Sequence, residues 1–277
     1  MHFPLPSPAS RARGACPPFL VLAALCGAAD SPAPAHADEV SVAVAANFTA
    51  PLTEIATAFT AATGHVLLVS GGSTGGLAAQ VANGAPFEVL LAADDATPAR
   101  LEAEGLAVPG TRRTYAIGRL ALWSSRESYV DPAGAVLREG GFRHLAIANP
   151  QVAPYGAAAV AALEALGLRE TLVTLFVQGE NIGQAYQFVA SGAAELGFVA
   201  LSQVWRDGRF TSGSGWLVPA ALHPPLRQEA VLLTPGRDKP GALALLEYLG
   251  QPAARAVIAS YGYDSPSTVP GSDAVGR

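Results

Sequence analysis

The sequence predicts an α/β protein in which short buried strands alternate with helices. Apolar runs such as residues 40–45 have the length and valine content of buried strands. After most of these runs, apolar residues recur at helical spacing, as at Leu52, Ile55 and Phe59. A glycine-rich turn, residues 70–76, connects one such strand to one such helix. This alternation is typical of a layered fold with a largely parallel sheet.

Residues 1–37 are predicted to be a secretory signal peptide. Arg11 and Arg13 give a basic start, residues 19–29 form an apolar run, and residues 35–37 (AHA) match a small-x-small cleavage site. The apolar run is too short to span a membrane. We therefore expect an exported protein whose mature chain begins directly after this site.

Both cysteines, Cys16 and Cys26, lie in this predicted leader. The mature chain is therefore expected to contain no disulfide, no thiolate nucleophile and no cysteine metal site. A lipid anchor on Cys26 is an alternative, but Leu25 is bulky where such a signal places a small residue.

The mature chain is acidic. Removal of Arg11, Arg13 and Asp30 with the leader changes the formal net charge from −5 to −6. This charge argues against nucleic acid or an anionic membrane surface as a partner. It also means that a bound anion would be held by local dipoles. The length without the leader is sufficient for a large core or two domains.

The glycine-rich turn, residues 70–76 (SGGSTGG), has the features of an anion site. Its glycines permit tight backbone angles and close approach of a ligand. The hydroxyls of Ser73 and Thr74 can donate hydrogen bonds, and the following helix start offers free N–H groups and a partial positive charge. No lysine follows the glycines, and their spacing does not fit G-x-G-x-x-G. An ordinary glycine turn remains the alternative.

Three further strand-to-helix junctions share this design. They contain Asn47, Tyr155 and Ile182, whose amide would be a free donor at the start of a helix. Asn47 could instead be a plain helix N-cap, and Tyr155 a surface aromatic. Ligands of open α/β sheets bind outside the carboxyl ends of strands. Two junctions fall in each half of the chain, which suits a cleft between two lobes.

Four other segments carry weaker expectations. Residues 115–123 are predicted to be one extended apolar run, residues 124–142 a weakly patterned surface stretch, and residues 209–215 a polar loop. Asp94 and Asp95 are predicted to cap the next helix rather than to bind a metal.

Five motifs occur in a characteristic order along residues 40–263. They are VAANF at 44–48, GSTG at 72–75, NGAPFEV at 83–89, AAD at 92–94 and NPQVAPYG at 149–156. With these motifs the chain resembles the periplasmic molybdate-binding proteins of ABC importers. The motifs are specific as an ordered set, and none is specific alone.

The resemblance implies a two-lobed periplasmic-binding-protein fold of type II, with two crossing strands and a ligand cleft between the lobes. Residues 38–115 and 228–277 would form lobe 1, and residues 116–227 would form lobe 2. Crossing strands near residues 116–122 and 228–234 would act as the hinge.

The resemblance also implies a function. Family members enclose a tetrahedral oxyanion with hydroxyl and amide donors, and deliver it to an ABC permease in the membrane. The ligand would be molybdate or tungstate, with no cofactor, in a periplasmic monomer. The positions that would bind the anion are Asn47, Ser73, Thr74, Tyr155 and Ile182.

Two departures mark the branch of the family that this chain is similar to. Some members have Ser at the position of Asn47 and a binding Tyr at the position of Ala200. In those members the position of Tyr155 holds a small residue, so this chain is similar to the branch in which Tyr155 supplies the phenol. Thr74 replaces a commoner Ser, which keeps the hydroxyl and adds a methyl group.

The alternatives are another oxyanion or an enzyme. Molybdate, tungstate and sulfate are unprotonated dianions at neutral pH, so a donor-only cage suits all three, and cavity size would select among them. Phosphate would need an acceptor for its proton, and Glu180 is the nearest carboxylate to a predicted contact. A hydrolase would need an activated Ser, but His65, His144 and His223 lie away from Ser73, which also lacks a G-x-S-x-G elbow. We therefore expect a binding protein.

Overall fold

The computed structural model describes residues 37–266, so the predicted signal peptide, apart from Ala37, lies outside the described residues. The strands are β1 (Glu39–Ala45), β2 (Val66–Gly72), β3 (Val89–Ala92), β4 (Arg113–Gly118), β5 (Leu120–Ser124), β6 (Leu145–Ala148), β7 (Phe176–Gly179), β8 (Leu196–Ala200), β9 (Trp205–Arg206), β10 (Arg209–Phe210), β11 (Ser214–Leu217) and β12 (Leu226–Leu232). The α-helices are α1 (Thr49–Thr63), α2 (Thr74–Ala82), α3 (Ala96–Ala103), α4 (Val136–Glu139), α5 (Pro154–Ala165), α6 (Arg169–Leu172), α7 (Ile182–Ala190), α8 (Pro240–Tyr248) and α9 (Pro252–Ser260).

The strands form two five-stranded sheets and one small hairpin, β9–β10. The first sheet has the order β2-β1-β3-β12-β4, and the second has the order β11-β5-β8-β6-β7. In each sheet two strand pairs are parallel and two are antiparallel. The predicted α/β class is confirmed, but the sheets are mixed rather than largely parallel. The first sheet includes β12, which returns from a distant part of the chain, whereas the strands of the second sheet all come from residues 120–217.

Helices cover both faces of the first sheet, because successive strand residues point to opposite sides. Val42 and Val44 of β1 pack with Ile55 of α1, whereas Ala43 packs with Leu77 of α2. All of these side chains are buried. The strands β3 and β6 are buried along their whole length, which explains why their sequences are continuously apolar.

Three sequence expectations need correction. The run at residues 115–123 is not one strand, because it is split between β4 of the first sheet and β5 of the second. The stretch at residues 124–142 is not only surface, since it contains α4 and the buried side chains of Val130 and Phe142. The loop predicted at residues 209–215 contains β10 and the start of β11, which pairs with β5.

The topology brings helix starts together. The strands β1, β2 and β3 run in parallel, so their carboxyl ends share one edge of the first sheet. The strands β6 and β7 do the same in the second sheet. Helical turns follow β1, β2, β6 and β7 at these edges. Within residues 37–266, no helix is both long and apolar enough to cross a bilayer.

Candidate functional site

One narrow cleft contains all five residues predicted to bind the anion. Asn47, Ser73, Thr74, Tyr155 and Ile182 line it together. The other lining residues are small or apolar, namely Ala45, Ala46, Gly72, Ala93, Ala153 and Pro154. The cleft is small, with about 190 Å³ of space between atoms, part of it open to solvent.

Asn47 is buried at the end of β1, and its side chain is held by the protein itself. Its Nδ2 donates to Gln228 Oε1 at 2.7 Å and to the Tyr263 hydroxyl at 2.9 Å. An amide NH₂ group has two protons, so both are used. The side chain caps neither the short helical turn at residues 46–48 nor α1, so the plain N-cap alternative is wrong. The main-chain amide of Asn47, at the start of this helical turn, has no intrahelical partner.

A buried polar cluster supports Asn47 from behind. The hydroxyls of Tyr263 and Ser202 donate to the Asn47 carbonyl oxygen at 2.9 and 2.8 Å. Gln228 Nε2 donates to the carbonyl oxygen of Leu226 at 2.9 Å, which fixes the Gln228 side chain in turn. Burial raises the pKa of Tyr263 to about 12, so this phenol is protonated. The sequence reasoning missed these three supporting side chains, although a polar Gln228 in an apolar strand was a usable signal.

The glycine-rich turn presents two hydroxyls to the cleft. Thr74 is buried, and its Oγ1 accepts the N–H of Ala93 at 3.0 Å, which leaves its own proton free to donate. Ser73 occupies the N-cap position of α2, but its hydroxyl makes no capping bond. Of the amides in the first turn of α2, that of Gly75 donates to the carbonyl oxygen of Val152 at 2.9 Å. The amides of Ser73 and Thr74 have no intrahelical partner.

Tyr155 is only 1% exposed, which contradicts the surface-aromatic alternative. Its hydroxyl is buried close to the Tyr263 hydroxyl and the Asn47 side chain, both of which influence its pKa. By hydrogen-bond geometry it has no partner among the residues that the structure describes. Gly118 of β4 leaves room for this hydroxyl, since a Cβ at that position would overlap it. Burial raises the pKa of Tyr155 well above 10, so the phenol keeps its proton and is a donor without a partner.

Ile182 is the first residue of α7. Its side chain is buried in a hydrophobic core that includes strands of the second sheet. Asn181 is the N-cap of α7 and accepts the N–H of Gln184 at 3.1 Å. The Ile182 amide precedes the first intrahelical hydrogen bond and has no intrahelical partner.

The electrostatics of the cleft favour an anion. Four helix starts meet there, and each carries a partial positive charge. None of the lining residues given above has a charged side chain. Asp94 follows the lining residue Ala93, but it accepts the N–H of Thr97 at 2.7 Å and so caps α3, as the sequence predicts for it. Burial raises the pKa of Asp94. Asp95 makes no side-chain capping bond, and Glu180 is exposed outside the cleft lining.

A second, wider cavity differs in character, and we call it the charged groove. It is much larger than the cleft and is lined partly by β4, β12 and α9. Several of its charged side chains pair with one another: Arg112 lies 3.0 Å from Glu229, and Arg227 lies 3.6 Å from Asp95. Burial raises the pKa of Glu229, and the Arg112 guanidinium opposes that rise.

Comparison with known proteins agrees with this geometry. The profile of a family described as bacterial extracellular solute-binding protein matches residues 40–264. The molybdate-binding protein ModA of Azotobacter vinelandii is 59% identical over 229 residues, which cover 83% of this chain and 91% of that protein. The ModA of Rhodobacter capsulatus is 48% identical over 231 residues, covering 83% of this chain and 90% of that protein.

The fold is similar to a solved relative. The structure of the periplasmic molybdate-binding protein of Azotobacter vinelandii superposes with a TM-score of 0.79 and 42% identity, covering 81% of this chain and 98% of that chain. These relatives are solute-binding proteins and not enzymes, so a hydrolase is not favoured. The chain therefore belongs to the bacterial extracellular solute-binding proteins and, within them, to the molybdate-binding proteins.

Proposed function

We propose that this protein captures molybdate, and also tungstate, in the cleft between its two sheets and delivers it to an ABC permease. The observation that carries the proposal is the Tyr155 hydroxyl, a buried donor without a partner beside an uncharged cleft. A buried polar group without a partner costs free energy, and an oxyanion oxygen would supply that partner.

Each predicted residue has a role in this proposal. The hydroxyls of Ser73, Thr74 and Tyr155 donate to the anion oxygens. The backbone amides of Asn47 and Ile182 donate from two further helix starts. Every one of these groups is neutral, and each hydrogen bond to the charged oxyanion contributes about 1.5–3 kcal/mol net. The Asn47 side chain acts indirectly, because Gln228 and Tyr263 use both protons of its amide.

The lining also selects against protonated anions. Phosphate carries a proton near neutral pH and needs an acceptor, and the lining has no carboxylate. Sulfate has no proton and could use the same donors, so it is the second candidate ligand. Its shorter bonds make it a smaller ion, and the size of the closed cleft decides between the two.

Binding involves closure of two lobes in this proposal. The predicted lobe 1 is residues 38–115 with 228–277, of which 267–277 lie outside the described residues, and the predicted lobe 2 is residues 116–227. The two sheets support such a division but not its exact bounds, because β4 ends at Gly118 and β12 begins at Leu226, and both strands belong to the first sheet. The chain passes between the sheets near Arg119 and again before β12, and hinge motion there would open and close the cleft.

The cellular setting follows from the family. Members are extracellular solute-binding proteins, and we propose a periplasmic location after removal of residues 1–37. The partner would be the membrane subunit of a molybdate permease, which receives the ligand from a monomeric binding protein.

A thermal-shift titration of the mature protein tests the ligand. Molybdate, tungstate, sulfate and phosphate are added separately at equal concentration. Ligand that binds only the folded state raises Tm by mass action. A large rise with molybdate and tungstate alone supports the proposal. A rise with sulfate or phosphate instead reassigns the ligand, and no rise with any of the four overturns the oxyanion site.

A further inference from the structure

Gly75 and Val152 bring the two walls of the cleft into direct backbone contact. Gly75 is the second residue of α2, and Val152 lies in the loop before α5. The Gly75 N–H donates to the Val152 carbonyl oxygen at 2.9 Å. A Cβ on Gly75 would lie 3.0 Å from the Val152 Cα, 3.1 Å from its Cβ and 3.1 Å from its oxygen. The missing side chain at Gly75 is therefore what allows this approach.

This contact adjoins the proposed donors on both walls. Ser73 and Thr74 directly precede Gly75, and Tyr155 follows Val152 by three residues. The separation of these hydroxyls therefore depends on how closely Gly75 approaches Val152. Much of the contact is made by main-chain atoms, which cannot move aside by a change of rotamer, and packed interiors transmit such displacements.

The opposite side of the cleft has more room. Gly183 is the second residue of α7, the same position that Gly75 has in α2. A Cβ on Gly183 would lie 3.4 Å from the Ala46 Cβ across the cleft, which is ordinary van der Waals contact. Its closer neighbour is the capping side chain of Asn181 at its own helix end. Of these two contacts across the cleft, the one at Gly75 is the tighter.

We propose that the Gly75–Val152 contact limits closure of the cleft, so that Gly75 determines which size of oxyanion is preferred. The inference rests on the proposed function. The hydrogen bond draws the two walls together, and the backbone atoms stop them at a fixed distance. That distance sets how far the donors on α2 stand from Tyr155. Molybdate and tungstate, with their longer metal–oxygen bonds, span a wider cage than sulfate.

The test is Gly75→Ala, which keeps the N–H but holds the walls apart by a few tenths of an ångström. Calorimetry gives Kd for molybdate and for sulfate. We expect molybdate binding to weaken about three- to tenfold, because the donors no longer reach ideal distances. Sulfate should weaken by a larger factor, because its shorter bonds leave wider gaps. The ratio of the sulfate Kd to the molybdate Kd therefore rises.

The control is Gly250→Ala. Gly250 is exposed after α8, and its nearest neighbour would be the Glu247 carbonyl oxygen at 3.3 Å, far along the chain from the cleft lining. This variant has the same change in backbone entropy. Its Kd ratio should equal that of the unsubstituted protein.

Three outcomes would overturn the inference. One is an unchanged Kd ratio in Gly75→Ala, and another is an equal change in the control. If the single variant does not fold, the double variant Gly75→Ala with Val152→Gly removes one of the facing carbons. In this double variant too, the ratio of the sulfate Kd to the molybdate Kd is expected to exceed that of the unsubstituted protein. A ratio that does not exceed it is the third contrary outcome. A protein that binds neither anion before substitution contradicts the proposed function itself.

Discussion

The narrow cleft and the charged groove use opposite electrostatics within one molecule. The groove has many charged side chains, and its closest pair, Arg112 and Glu229, is 3.0 Å apart. The cleft lining has no charged side chain, yet helix starts and hydroxyls with unused protons converge on it. In the groove Arg112 and Arg227 each meet an opposite charge within the protein. In the cleft the hydrogen-bonding capacity is left for something from outside.

The difference between cleft and groove indicates which groups can bind an anion in an acidic protein. Paired side-chain charges have little left to offer a ligand. Neutral donors fixed by the backbone keep their capacity and lose little to reorganisation when a dianion enters. The cleft should therefore be sensitive to any added negative charge, and the groove should matter for stability alone.

Ser73→Asp should have the largest effect on binding, because it places a carboxylate in the uncharged cleft. Asp is a favoured N-cap, so α2 should remain folded and Tm of the free protein should not fall. Molybdate affinity should drop about 100-fold or more, since like charges in contact cost several kcal/mol. Calorimetry and thermal unfolding measure the two effects.

The matched control is Ser73→Asn, because an Asn side chain has the shape of Asp but carries no charge. It should retain most of the affinity. Equal losses in both variants would show that shape rather than charge controls this position.

Tyr155→Phe removes a donor that has no partner in the described protein. We expect affinity for molybdate to fall about 5- to 150-fold, which corresponds to about 1–3 kcal/mol. Tm of the ligand-free protein should stay the same or rise, because no internal hydrogen bond is lost. An unchanged Kd in calorimetry would remove Tyr155 from the site.

Thr74→Val affects both the site and the fold. It removes a donor to the anion and also the acceptor of the Ala93 N–H. Affinity should fall about fivefold or more, and the free energy of unfolding by about 1–3 kcal/mol. Thr74→Ser keeps the hydroxyl and should preserve affinity. If Thr74→Val unfolds the protein outright, the residue has a structural role that outweighs binding.

Arg112→Met should leave molybdate Kd unchanged, because its partner lies in the charged groove. It should lower the free energy of unfolding by about 1–3 kcal/mol, since Glu229 is left as a largely buried carboxylate without its closest cation. The double variant with Glu229→Gln should recover part of that loss. A clear change in Kd for Arg112→Met would mean that the groove and the cleft are coupled.

Alkaline pH should have the smallest effect on binding. Burial raises the pKa of Tyr155 well above its usual value near 10, so the donor stays protonated and Kd should be flat from neutral pH to about pH 9. Because the folded-state pKa is the higher one, this tyrosine's contribution to stability is full below about pH 10 and is lost as pH rises toward the folded value. Tm should therefore fall less steeply above pH 10 in Tyr155→Phe. If Kd already increases as the pH is raised from neutral to about 9, Tyr155 is not protonated over that range and the prediction is wrong.

The sequence allowed the helix starts to be predicted because a strand, a short turn and a helix are adjacent in the chain. Ser73, Tyr155 and Ile182 stand in the turns or first helical positions that local patterning places there. The support of Asn47 could not be found in this way, since its partners Gln228 and Tyr263 are 181 and 216 positions away. Such contacts depend on the whole topology.

The strand β11 was missed for a different reason. Its segment is polar and glycine-rich, which usually indicates a loop. A Cβ on Gly215 would lie 2.6 Å from the Phe210 ring, so the glycine is required by packing inside a strand. The mixed character of the sheets could not be predicted locally either, because it depends on how β12 inserts between β3 and β4 and on how β5 pairs with β8 and β11.

The position of β12 has a consequence for the order of folding. It lies between β3 and β4 in the first sheet, although nearly the whole second sheet, built from residues 120–217, separates it from them in the chain. The second sheet can pair as soon as its own contiguous segment is available, whereas β4 has no partner in the first sheet until β12 arrives. Pairing across such a separation is slow, so the first sheet is completed last. Because Gln228 on β12 holds Asn47, ability to bind the anion should appear only in that final step.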